Sequence, residues 1–171
     1  MKKVIIAGIA LLGFATAQAQ TDGGVRTATQ TATVVLEQVL DIAITTDNLT
    51  AFTFNEVSEY DNGITQTAAT TFEVNASVPW NIHFAADADE FAVTSSSSST
   101  TMPLSVFSIG KTGGSLQTLT NAASTNPLNS GARGDDETTG NTFTVDYKAN
   151  PGYDYDPATY EVGITYTISA Q

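Results

Sequence analysis

Beyond its first two dozen residues the chain alternates apolar and polar side chains with a period of two, the pattern of strands with one buried face. The cleanest run closes the chain, where Tyr160, Val162, Ile164, Tyr166 and Ile168 alternate with Glu161, Gly163, Thr165, Thr167 and Ser169. A longer run keeps Phe72, Val74, Ala76, Val78, Trp80, Ile82 and Phe84 on one parity. Pro79 falls on its polar parity, which predicts a bulge or an edge that leaves the buried face undisturbed. Shorter alternations at Leu40-Ile42-Ile44, Phe52-Phe54, Phe91-Val93 and Phe143-Val145-Tyr147 predict further strands, and the apolar stretch from Leu104 to Ile109 reads as a buried one. Residues 27–36, with Thr27, Thr29, Thr31 and Thr33 on one parity, read as a strand of weak amphipathicity. No stretch sustains a 3.6-residue apolar period; residues 34–44 come closest.

Turn chemistry separates these runs. Asp61-Asn62-Gly63, Lys111-Thr112-Gly113-Gly114 and Asn150-Pro151-Gly152 supply residues that tolerate or preset turn dihedrals. About eight or nine strands so joined predict an all-β fold, an antiparallel immunoglobulin-like β-sandwich, with a closed barrel as the alternative. The expected core is Trp80, Phe72, Val74, Tyr147, Val162, Ile164 and Tyr166. The stretch from Gly110 to Asn141 is rich in Gly, Ser, Thr and Asn, with only Leu116, Leu119 and Leu128 to bury. A structureless loop of that length is uncommon, so a short strand is expected within residues 115–120. Residues 95–99 are five consecutive serines and read as a loop tip.

Composition sharpens the picture at the ends and the surface. Lys2 and Lys3, the apolar run from Val4 to Phe14 and the sequence Ala17-Gln18-Ala19 have the form of an export signal. The run is about half the roughly 20 residues of a membrane-spanning helix, and no Cys follows it to carry a lipid. Residues 1–19 are therefore expected to be removed, leaving residues 20–171 as a single secreted domain with a net charge of −14. So acidic a chain repels phosphate backbones, so nucleic acid is not an expected partner. With no Cys and one His in the sequence, thiolate chemistry, disulfides and histidine-cluster zinc sites are excluded.

Candidate chemistry is sparse. His83 lies on the polar parity of the Trp80 run with no triad pattern around it, and reads as a surface residue. Arg133-Gly134-Asp135 spells an adhesion tripeptide that also arises by chance, and Asn48 and Asn75 open glycosylation acceptor sequences. Asp135, Asp136 and Glu137 form an acidic group that is either solvated loop charge or part of a calcium site, which would need about six to eight oxygens gathered in three dimensions. Calcium is the one cofactor entertained. In Tyr153-Asp154-Tyr155-Asp156 the two tyrosines either close one end of the sandwich or stack on sugar rings beside Asp154 and Asp156. No pair of carboxylates is singled out for glycoside hydrolysis, and no catalytic constellation is present, so the chain is not expected to be an enzyme.

Two stretches carry a resemblance. Val78-Pro79-Trp80-Asn81-Ile82-His83-Phe84, followed by Phe91, resembles the first Trp-x-Leu signature of bacterial WxL-type cell-surface domains. Residues 160–168 resemble their closing signature, with Tyr166 in place of the second Trp and with Ile82 and Ile168 in place of Leu. The closing strand is also similar to that of bacterial fimbrial subunits. Both resemblances imply a secreted bacterial β-sandwich found at the cell surface.

These readings converge on a non-enzymatic structural or adhesive protein of a bacterial surface, exported to the cell exterior or retained in the periplasm. A filament subunit is one form of it, and a glycan-binding module is the alternative. Partners are then a surface glycan, or another surface protein or a second copy joined by β-strand addition. The exchangeable strand would be residues 27–36, which otherwise pair within their own sheet.

Overall fold

Residues 27–94 and 101–171 are described by the computed structural model, so the expected signal segment and the serine run lie outside the described residues. The alternating runs become strands: β1 (Leu40–Asp47), β2 (Ile64–Ala76), β3 (Trp80–Ala86), β4 (Glu90–Val93), β5 (Met102–Pro103), β6 (Phe107–Lys111), β7 (Gln117–Thr118), β8 (Asn129–Gly131), β9 (Thr142–Ala149), β10 (Tyr160–Glu161) and β11 (Ile164–Ala170). Eleven strands replace the expected eight or nine because β5, β7 and β10 are only two residues long. One sheet has the order β1-β2-β9-β6-β7, a second β11-β3-β8 and a third β10-β4-β5, and the paired strands are antiparallel. The second and third are consecutive stretches of one ribbon. The Asp87 N–H donates to the Gly163 carbonyl at 3.0 Å, and the Gly163 N–H to the Asp87 carboxylate. The result is an all-β antiparallel sandwich.

The thirteen-position run from Phe72 to Phe84 is not one strand. β2 ends at Ala76 and β3 begins at Trp80 in the other sheet. Pro79 thus stands in the corner where the chain changes sheets, and parity is conserved because both strands face the same interior. Phe72, Val74, Trp80, Ile82 and Phe84 are each at most 1% exposed, and Val145, Tyr147, Ile109 and Leu119 join them from other strands. Trp80 and Phe143 stack with centroids 6.4 Å apart, and Phe143 stacks on Phe72 at 5.3 Å.

The Trp80 indole N–H donates to the Ala132 carbonyl at 3.1 Å and lies 3.2 Å from Asn141 Oδ1. Asn141 is itself wholly buried, and its amide donates to the Asp135 carbonyl. β3 pairs Trp80 with Gly131, where an added Cβ would sit 2.6 Å from the ring atom Cε2. Only glycine lets the backbone of β8 lie against the indole.

Other expectations need correction. Leu104–Val106 is a 3-10 turn, and the strand expected from Leu104 begins at Phe107. Phe52 and Phe54 pack against the core without forming a strand. The Gln66 side chain there accepts from the Thr50 N–H and donates to the Thr50 carbonyl, taking the place of a neighbouring backbone. A short helix, α1 (Val57–Asn62), was not expected. The Glu59 carboxylate accepts from the N–H groups of Asn55 and Glu56 at its start, and Gly63 ends it at φ 74°. Leu119 and Leu128 are buried while Leu116 is 39% exposed, and the short strand expected there is β7.

The compact unit begins at Glu37. Residues 27–36 belong to a separate unit, carry no strand and are exposed throughout. Period two reports a preference for extended chain, and a strand also needs a neighbour for its main-chain groups.

Trp80→Ala should cost about 3–5 kcal/mol of stability, the range for truncating a buried aromatic residue. Urea unfolding measures it; a variant with an unchanged midpoint would place Trp80 outside the core.

Candidate functional site: an open seam between two sheet edges

The two long sides of the sandwich are finished differently. On one side the chain leaves β6 through a turn closed by the Gly114 N–H on the Lys111 carbonyl, with Gly113 at φ 79°. After β7 it crosses to the other sheet and lies along the edge of β3. The Ala86 N–H donates to the Thr120 carbonyl, the Ser124 N–H to that of Phe84 and the Leu128 N–H to that of Ile82, at 2.7–2.9 Å. With β8 following, the edge of β3 is satisfied along its length. Covering an edge in this way protects it from pairing with another chain.

On the opposite side nothing comparable is built among the described residues. β1 pairs with β2 alone and β11 with β3 alone, so each leaves one edge without a strand partner. Between them lies a cleft of about 480 Å³ lined by Ile42, Ile44, Phe72, Ile164, Thr165 and Tyr166. Ile44 is 51% exposed. Val162, Ile164 and Tyr166, expected in the core, do pack against it but are only half-buried. The reason is positional: Val162 lies between β10 and β11, Ile164 and Tyr166 stand on β11 at a sheet edge, and among the described residues no further strand covers that flank.

The floor of the seam is tied across the two sheets by hydroxyl groups. The hydroxyls of Tyr147 on β9 and Tyr166 on β11 lie 2.8 Å apart, and the Tyr147 hydroxyl donates to Thr70 Oγ1 at 2.9 Å. The Tyr166 ring rests on Phe72 with centroids 4.7 Å apart. Thr70 reaches this position because β2 bulges between Gln66 and Thr70, with Ala68 at φ 50° and its N–H held by the Asp146 carboxylate at 2.8 Å. Burial pushes the Tyr166 phenol far above its usual range, and the adjoining Tyr147 pushes it further. Burial likewise raises Tyr147, partly offset by its bonds to Thr70 and Tyr166.

The cleft lining contains no carboxylate, imidazole or amine. What the seam presents is an apolar floor between two rows of main-chain donors and acceptors.

The residues singled out from the sequence lie elsewhere. Tyr153, 62% exposed, stacks on Tyr60 of α1 at 5.1 Å, and its hydroxyl donates to the Asp61 carboxylate at 3.0 Å and lies 3.2 Å from the Val57 carbonyl. Partial desolvation and then the Asp61 carboxylate raise its phenol. Tyr155 is half-buried, Asp154 and Asp156 are exposed, and the Asp156 carbonyl accepts from the Tyr160 hydroxyl. The aromatic pair at this end is therefore Tyr60 with Tyr153, and α1 was the element sequence reasoning missed.

Gly134 is held to Ala76 by two main-chain bonds, which fixes the backbone of the Arg133-Gly134-Asp135 tripeptide. The Asp135 carboxylate accepts from Thr138, and the Asp136 N–H donates to Asn75 Oδ1. Among the described residues, no three carboxylate or imidazole side chains, Asp135, Asp136 and Glu137 included, are gathered as a metal ion would need. His83 is half-buried, with Nδ1 at 2.7 Å from the Ser124 carbonyl. No helix among the described residues is long and apolar enough to cross a membrane. No protein-family model and no curated protein matches the chain.

The raised phenols make stability depend on alkaline pH. A tyrosine whose pKa is higher in the folded state stabilises the fold fully below the unfolded value of about 10, and that contribution falls as pH rises above it. For Tyr147 and Tyr166, the two phenols buried between the sheets, stability should drop above about pH 10 by as much as 1.4 kcal/mol per pH unit each. Tyr166→Phe should flatten this slope in urea unfolding followed between pH 9 and pH 11; an unchanged slope would show that Tyr166 ionises freely in the folded protein.

Proposed function

We propose that this chain is a non-enzymatic structural subunit of a bacterial cell surface, exported from the cell and assembled with its neighbours by strand addition at the seam between β1 and β11. The observation that carries the reading is the unequal finish of the sandwich. One long side is sealed by residues 112–131, while the other leaves two strand edges and an apolar floor uncovered by the described residues. An exposed edge of this kind is a template for another chain, and proteins that do not use it blunt it. The resemblance to WxL-type and fimbrial surface domains and the export-signal pattern point to the same setting. In this reading the strong negative charge keeps unassembled subunits soluble.

Producing cells should display filaments or a surface layer containing the chain, visible by immunogold electron microscopy, and lose them when the gene is removed. The purified secreted protein should form concentration-dependent oligomers. A monomer at every concentration, with an unaltered cell surface, would refute the proposal.

A second reading, an extracellular glycan-binding module, has one observation in its favour. Tyr153 is an exposed ring braced from behind by Tyr60 and fixed through its hydroxyl. On that reading a glycan array should show saturable binding that Tyr153→Ala abolishes; binding unaffected by the substitution would remove Tyr153 as the platform.

A further inference from the structure

The sealed side of the sandwich is not flat. Where the crossing segment passes the turn after β6, the two stand apart and leave a cavity of about 310 Å³. That is near the lower end of the roughly 300–1,000 Å³ of small-molecule pockets. Lys111, Ser115 and Gln117 line it from the turn and β7, and Asn126, Pro127 and Leu128 from the crossing segment. Gly110 lets the two limbs of the turn close up, since a Cβ there would lie 2.7 Å from the Ser115 carbonyl oxygen.

Two features of this lining call for a ligand. The first is a cation without a counter-charge. The Lys111 ammonium donates to Asn129 Oδ1 at 3.0 Å and stands 5.9 Å from the centre of the Phe143 ring. Asn129 is buried and its amide donates to the Gly140 carbonyl, which keeps its oxygen turned toward Lys111. Among the described residues no carboxylate pairs with this ammonium, in a sequence of 18 acidic and 6 basic residues. An ammonium so held has further protons to donate. The second feature is a set of polar groups that the chain itself leaves unused. The side chains of Ser115, Gln117 and Asn126 make no hydrogen bond with another described residue. Pro127 and Leu128 contribute an apolar part of the wall.

We propose that this cavity is a subsite for a hexuronate residue of a polysaccharide. The carboxylate accepts from Lys111 Nζ in a charge-assisted bond. The sugar hydroxyls pair with Ser115, Gln117 and Asn126, and a C–H face of the ring lies on Pro127 and Leu128. A simple anion would use the ammonium and leave the amides idle, and a neutral sugar would leave the ammonium without its counter-charge. A uronate answers both. The strongly acidic surface repels anions in general, so capture of one has to be local. The cavity lies on the side away from the seam. Lys111 pairs with Val145 on β9, and Tyr153 comes after the far end of that strand. The subsite therefore operates whether or not subunits assemble, and Tyr153 takes no part in it.

Calorimetric titration of the purified full-length chain with tetramers of galacturonate, glucuronate and mannuronate is the test. At least one should bind saturably. Its methyl ester keeps the ring hydroxyls and loses the charge, and should bind at least about tenfold more weakly. Lys111→Gln should weaken binding by at least about tenfold, and Lys111→Arg, which keeps the charge, by less. Gln117→Ala with Asn126→Ala keeps Lys111 and should also weaken binding, which covers the case in which Lys111→Gln fails to fold. Tyr153→Ala should change nothing. Failure of all three tetramers to saturate would overturn the subsite, as would binding that survives both Lys111→Gln and the double variant. An ester that binds as tightly as the acid, or acetate that displaces the tetramer at equal carboxylate concentration, would overturn the uronate assignment in favour of a neutral sugar or a simple anion.

Discussion

The indole of Trp80 is wholly buried, and a buried N–H left without an acceptor would cost about 1–3 kcal/mol. Much of the fold can be traced from the way that need is met. The acceptors are Ala132 and Asn141, both from the stretch that follows β8. Satisfying the ring therefore draws a polar, glycine-rich segment into the sandwich. Asn141 in turn must satisfy its own amide through Asp135, and its carbonyl accepts from the Val74 N–H. One aromatic residue in the second sheet thus fixes the path of residues 131–141 and ties them to β2 in the first.

The buried hydroxyls of Tyr147 and Tyr166 play the corresponding part near the other edge. They join the sheets through polar contacts where a strand is lacking to join them through packing. A hydroxyl pair holds less apolar surface than a strand would, which is why the wall residues of the seam stay half-exposed while those of β3 do not. The two long sides are thus products of one economy of side chains. Leu119 and Leu128 are spent on sealing the first, and nothing of their size within the compact unit covers the second.

Fold class was legible because inward parity survives every detail of connection. The run through Phe72 and Trp80 was read as a single strand and is two, yet Phe72, Val74, Ala76, Trp80, Ile82 and Phe84 all face inward as expected, since a corner between facing sheets preserves parity; Val78, inside the corner, is only half-buried. Length and partner were less legible. Phe52 and Phe54 alternate like a strand, but side chains answer the backbone there, Gln66 at Thr50 and the Tyr60 hydroxyl at Phe54. Residues 27–36 alternate too and have no partner within the described residues. The seam could not be read from Ile164 or Tyr166, because alternation marks which face turns inward and says nothing of whether a flanking strand will cover it. The helix beside Tyr153 was hidden because six residues are too few to show a period. A signal was present in the acidic pair Glu56 and Glu59 followed by Gly63, a start and a stop at helical spacing.

A sandwich stitched along one side and unlaced along the other has the mechanics of a book. The crossing segment over β3 is its spine, and the line between β1 and β11 is its fore-edge. Separating the two sheets there breaks side-chain contacts such as those of Tyr166 with Tyr147 and Phe72, whereas shear at the spine must break a row of main-chain bonds. Compliance is thereby concentrated at the fore-edge and rigidity at the spine. Any strand laid along the fore-edge would close the book and convert its softest direction into one of its stiffest.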